Sequence, residues 1–142
     1  MSATPFAQAH ASMAPETELP PEAYRQAVDQ ADLAISITDA KANILFANEA
    51  FTRVTGYSKD EIVGKNEGTL SNHTTPPELY KGMWTNLSAQ KPWAGKLLNK
   101  RTDGVLYLAE LSISPVVDAT GKTTHFVGMH RDITEMHRLE RV

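Results

Sequence analysis

The chain contains no cysteine, which removes disulfides, thiolate metal sites and thiol nucleophiles together. No apolar run approaches the ~18–20 residues that a helix needs to cross a bilayer, so membrane insertion is not expected. The first residues lack the basic region and apolar stretch of a signal peptide, and a cytoplasmic location is the matching expectation. A long basic stripe is missing and the net charge is −3, which argues against direct contact with nucleic acid. No internal repeat is visible. His10, His73, His125, His130 and His137 show none of the usual ligand spacings. No nucleophile–histidine–acid set can be assembled, so neither a metal site nor an enzyme is expected.

What is present suits one ordinary domain: 142 residues, 41% hydrophobic and 22% charged. Residues 1–19, rich in Ala, Ser, Thr, Pro and Gln, are expected to form a flexible tail. Pro20-Pro21 suits the first turn of a helix with Tyr24, Ala27, Val28 and Ala31 at helical spacing. Leu33 to Thr38 predicts a strand with Ile35 and Ile37 on one face and Ala34, Ser36 and Thr38 on the other. Asn43 to Ala47 predicts a second strand. Asn48 is placed to cap a short helix that ends near Gly56. Ser58 and Glu61 have capping-box spacing, with Gly64 beyond them. An irregular stretch over 65–74 leads to the longest helix. Its expected cap is Thr75, with Pro76 first, Glu78 completing a capping box, and Leu79, Tyr80, Met83, Trp84 and Leu87 as the apolar stripe.

Three longer strands are predicted over 93–101, 105–116 and 123–131. Thr102-Asp103-Gly104 reads as a three-residue hairpin loop with Gly104 in the left-handed region. Arg101 then faces Val105 and Lys96 faces Glu110, an opposite-charge pair. The same register puts Trp93, Gly95, Leu97 and Asn99 on one face with Tyr107, Ala109, Leu111 and Ile113. Phe126, Gly128 and His130 alternate on the last strand. Asp132 and Thr134 open a final helix with Met136, Leu139 and Val142 along its apolar side. The order of elements implies an α+β fold, one antiparallel sheet with helices over one face. Strand order within the sheet does not follow from periodicity.

Three segments in this order resemble a PAS domain, over roughly residues 20–142. Gly128-Met129-His130-Arg131-Asp132-Ile133-Thr134 resembles the family's closing signature. Asn48-Glu49-Ala50-Phe51 with Thr55-Gly56-Tyr57 resembles its early helix and exit turn. Asn99-Lys100-Arg101-Thr102-Asp103-Gly104 resembles the hairpin of flavin-binding members. The resemblance implies a five-stranded PAS fold with flanking helices: a sensor domain over 20–132 and the start of an output helix over 133–142.

Two flavin-binding groups of the family compete. In the blue-light LOV group, Glu67 would stand for the photoadduct cysteine, Gly68 for a phosphate-binding arginine, Ala109 for a second flavin-binding asparagine and His130 for a glutamine near flavin N5. The redox-sensing group of nitrogen-fixation regulators matches better, over Ile35-Ser36-Ile37-Thr38-Asp39, Gly64 to Glu67, Leu70-Ser71-Asn72, Lys91-Pro92-Trp93 and Gly128 to Asp132. That resemblance implies FAD rather than FMN, oxygen-responsive redox sensing, a homodimer through the flanking helices, and a downstream domain with a regulator protein as output. Peroxide formed on reoxidation would be a by-product. The alternatives are a cysteine-less blue-light receptor acting by flavin photoreduction and a cofactor-free dimerisation module.

Each candidate residue has two readings. The Asn99 amide either satisfies neighbouring backbone or pairs with the carbonyl and N–H of a flavin's pyrimidine edge. Glu67 is either an exposed loop carboxylate or, by resemblance, a proton relay and signalling group with a raised pKa. Ser36 is either an outward-facing strand serine and His130 a structural histidine near the sheet end, or both serve flavin N5 in its two redox states. Gly128 and Gly95 either mark local twist or leave room for a flat ring. Trp84, Tyr107 and Trp93 fill the core or line the ring. Asn66 is a candidate partner of the ribityl chain, with Lys65 or Lys100 near a diphosphate that emerges toward solvent.

Overall fold

The computed structural model describes residues 18–70 and 75–140. The expectations for residues 1–17, for Ser71, Asn72 and His73, and for Val142 lie outside the described residues. The elements run α1 Pro21–Gln30, β1 Ala34–Asp39, β2 Ile44–Ala47, α2 Glu49–Thr55, α3 Lys59–Ile62, a 3-10 turn Glu67–Leu70, α4 Pro77–Ser88, β3 Trp93–Lys100, β4 Leu106–Val117, β5 Thr123–Asp132 and α5 Thr134–Glu140. The five strands form one antiparallel sheet in the order β2-β1-β5-β4-β3.

The short helices form where their caps predict. Asn48 Oδ1 accepts from Phe51 N at 3.0 Å, and Gly56 closes α2 with a φ of 85°. The Ser58–Glu61 capping box is complete. Asn48 is fully buried and does more than cap. Its Oδ1 also accepts from Ile35 N, and its Nδ2 donates to Val28 O at 2.7 Å and Leu33 O at 2.9 Å. One amide therefore ties α1, β1 and α2 together.

The β3–β4 register is as predicted: Trp93 faces Ile113, Lys96 faces Glu110, and Arg101 N donates to Val105 O at 2.9 Å. Gly104 has a φ of 90°. The ion pair differs, because Glu110 also faces Arg131 across β5 and its carboxylate binds that guanidinium at 2.9 Å. The planar fork of an arginine suits a carboxylate better than an ammonium does.

One helix expectation is corrected. Helix α4 begins at Pro77, with Pro76 extended at its cap and no side-chain capping bond, so Thr75 and Glu78 form no capping box. A residue before proline is driven out of the helical region, which pushes the start one place along. In α1 no residue is buried, and Tyr24 is 58% exposed. The helix that the spacing predicts forms, without a buried stripe. Two apolar clusters hold the domain instead: Ala34, Ile44, Ala47, Phe51, Ile62 and Leu70 on one side, and Met83, Leu87 and Phe126 on the other.

Candidate cofactor pocket

Between these clusters a cavity of about 100 Å³ opens into a larger empty region of about 770 Å³ that runs out to solvent. Its floor is the inner face of the sheet, from Ser36 and Thr38 of β1 through Gly128 and His130 of β5 to Asn99 of β3. Its opposite wall is the 3-10 turn and α4. Leu70, Met83, Leu87, Leu97, Ile113 and Phe126 make most of the lining apolar.

Ser36 is 3% exposed and lies on the inner face. Its hydroxyl donates to Glu67 Oε1. The 3-10 turn holds Glu67 there, with its backbone N–H on Ala42 O at 2.9 Å. Burial of the carboxylate raises its pKa, and the hydrogen bond from Ser36 offsets this in part. Glu67 is thus a desolvated carboxyl in the cavity wall. Gly128 faces Ser36 across β1–β5. A methyl group at Gly128 would sit 3.1 Å from Ser36 Oγ and 4.0 Å from Glu67 Oε1. The missing side chain therefore keeps the floor open beside that pair.

At the other end, Asn99 is 4% exposed and its Oδ1 has no hydrogen-bond partner among the described residues. Its Nδ2 donates to Tyr107 Oη at 3.5 Å, and Tyr107 Oη lies 3.2 Å from His130 Nε2. Burial pushes the Tyr107 phenol up to about 12 and the His130 imidazole down to about 4. Both are neutral at pH 7.

Of the residues singled out from sequence, Ser36, Asn66, Glu67, Trp84, Asn99, Gly128 and His130 line one cavity. Tyr107 does not. It stands behind Asn99 and His130, which do. Trp84 is 37% exposed and closes the mouth edge-on to Phe126. The Asn66 amide is held by the loop: Nδ2 donates to Lys41 O, and Oδ1 accepts from Gly68 N. Gly95 does not make room for a ring in the cavity, because the Trp93 indole folds over it, 2.6 Å from where a Cβ would stand. Trp93 packs with the Met83–Leu87–Phe126 cluster. Thr38 and Gly68 were missed as lining residues. Thr38 shares the face of Ser36 two positions on, so alternation held the signal.

A family model described as the PAS fold matches residues 22–133. The chain belongs to the PAS family. It is 43% identical over 125 residues to a nitrogen fixation regulatory protein of Klebsiella oxytoca, an alignment covering 88% of this chain and 25% of that protein. It is 38% identical over 97 residues to a blue-light-activated histidine kinase of Brucella abortus (strain 2308), covering 68% of this chain and 20% of the kinase. Among solved structures, an RNA-binding light-oxygen-voltage receptor superimposes with a TM-score of 0.77 at 29% identity, covering 92% of this chain and 38% of the receptor. The PAS domain thus spans about a quarter of the nitrogen fixation regulatory protein that it matches. These similarities support a PAS sensor domain of a signalling protein. No helix among the described residues is long and apolar enough to cross a membrane.

Proposed function

We propose that this PAS domain binds a flavin, FAD by preference, and senses its redox state. The observation that carries the reading is the buried Asn99 amide, whose Oδ1 lacks a partner among the described residues while it lines an apolar cavity. A buried carbonyl without a partner costs roughly 1–3 kcal/mol, and a ligand N–H at that point would recover it. The cavity is apolar, lined by Asn99 and open on one side, which suits a flat ring with a polar tail leading to solvent. Asn99 would hold the pyrimidine edge, with Gly128 beneath the ring and Trp84 at the mouth. When bound, a flavin supplies an N5 that accepts a hydrogen bond when oxidised and donates one when reduced.

The chain's own groups answer both states. The Ser36 hydroxyl rotates between donating and accepting. Glu67 holds a proton more readily than an exposed carboxyl does. Ser36 pairs with Gly128, and Ala34 with His130, so a change at Ser36 is one strand away from the exit segment. There Ile133 N donates to Leu108 O at 2.8 Å, Thr134 Oγ1 accepts from Leu108 N at 2.8 Å, and Asp132 Oδ1 accepts from Thr134 N at 2.9 Å. The exposed Tyr24, Met136 and Leu139 on the flanking helices support pairing of two copies.

The test is an absorbance spectrum of the purified chain, before and after incubation with excess FAD, then mass analysis of the pigment and anaerobic titration with dithionite. A bound yellow chromophore that dithionite bleaches and air restores is expected. A chain that stays colourless after incubation overturns the proposal. Asn99→Ala should weaken flavin binding at least about tenfold. A light-driven reading is favoured by the similarity to a blue-light-activated kinase. With no cysteine in the chain it would have to work by photoreduction. Bleaching by blue light in air, without reductant and with rapid recovery, would favour it.

A further inference from the structure

Asn99, Tyr107 and His130 form a buried chain of hydrogen bonds that begins and ends on the cavity wall, with only the middle member set back from it. Counting hydrogens limits how the three can connect. A phenol carries one hydrogen, and a neutral imidazole carries one N–H and one bare nitrogen. Two arrangements satisfy both contacts and also place the Tyr107 hydroxyl hydrogen in one of them. In the first, Tyr107 donates to His130 Nε2 and accepts from the Asn99 NH2, which turns Asn99 Oδ1 toward the cavity. In the second, His130 Nε2–H donates to Tyr107, Tyr107 donates to the Asn99 oxygen, and the amide NH2 faces the cavity. The structure has the first orientation, with Nδ2 on Tyr107 and Oδ1 without a partner among the described residues. Burial holds the imidazole neutral, which keeps both tautomers in play.

We propose that Tyr107 is a positioning residue that ties the orientation of the Asn99 amide to the tautomer of His130. The cavity then takes a ring presenting an N–H to Asn99 only while His130 carries its proton on Nδ1. The ligand class is a cyclic imide edge, an N–H flanked by carbonyls. Naming that ring a flavin rests on the proposed function above, whereas the coupling of Asn99 to His130 does not. Tyr107→Phe deletes the one hydroxyl through which the two ends communicate and leaves the volume nearly unchanged.

Two measurements on the full chain test this. The first is nitrogen NMR of histidine-labelled protein without flavin, with His130 assigned through His130→Gln. Wild type should show protonated Nδ1 and bare Nε2, and Tyr107→Phe should lose that bias. A wild-type His130 protonated on Nε2 overturns the proposal. The second is the binding ratio of FAD to its N3-methyl derivative. Wild type should prefer FAD about tenfold, and Tyr107→Phe should lower the preference below about threefold. An unchanged ratio in a folded Tyr107→Phe protein also overturns it. Should Tyr107→Phe not fold, His130→Gln takes its place, since a side-chain amide turns freely and should lose the preference in the same way. If FAD does not bind, the flavin reading fails, and the tautomer measurement still decides the coupling.

Discussion

His130 and Glu67 face one cavity, and burial displaces them in opposite senses, one base pushed down and one acid pushed up. The folded-state pKa of His130 falls from 6.5 to about 4, so the unfolded chain binds its proton first. Stability from this group is complete above about pH 6.5 and is lost as pH falls toward 4. At 1.36 kcal/mol per pKa step the loss is roughly 3 kcal/mol. Urea unfolding of wild type and His130→Gln at pH 7 and pH 5 should show a smaller acid loss in the variant. Glu67 has the reverse sign. Its pKa is raised from 4.5, so its contribution is present below that value and is lost as pH rises through the folded pKa. Glu67→Gln should flatten the fall in stability on the alkaline side of 4.5, measured in the same titration. These residues differed in how legible they were. Asn99 followed from a hairpin and an alternation. Ser36 did not, because β1 is buried on both faces, Ile35 as well as Ser36, and alternation there says nothing about which side faces the site. Glu67 lies in a 3-10 turn too short for any period, and only resemblance to the family pointed to it.

At the scale of elements, the caps at Asn48 and Ser58 and the tight turn at Gly104 were legible because each states its geometry in a few residues, whereas the paired prolines displaced the cap expected at Thr75. Asn48 is the clearest case, and its four hydrogen bonds predict a large effect. Asn48→Ala should cost about 2–4 kcal/mol in chemical denaturation, beyond the ~1 kcal/mol of an ordinary cap, because buried backbone groups of three elements lose partners. Gly56 is a second such point. Its φ of 85° disfavours a side chain, and an added Cβ would lie 2.3 Å from Thr102 Oγ1. The β3–β4 loop is anchored there, with Thr102 N on Thr55 O at 3.1 Å and Arg101 on Arg53 O at 3.0 Å. Gly56→Ala should lower stability by at least about 1 kcal/mol and speed amide exchange at Thr102. What was not legible was the fate of amphipathic helices. The α1 residues at helical spacing lie over β1 and β2, yet none of them is buried.

Across the whole molecule, the strand count and the pairing of β3 with β4 could be read from the sequence. The placement of β1 beside β5 could not, because it joins segments about 90 residues apart through long-range packing. That pairing brings the cavity floor within a strand of the exit helix. Asp132→Ala with Thr134→Ala should leave the cavity intact while freeing α5, seen as faster amide exchange over residues 134–140 with an unchanged ligand affinity. Because Ala34 faces His130, the chain enters and leaves the sheet side by side at one end. Tension applied between those two ends would load the β1–β5 ladder like the teeth of a zipper, one rung at a time, instead of shearing all rungs together. Such a sheet yields to a small force, and a pull or twist on the flanking helices would open it first at the rungs above the cavity floor.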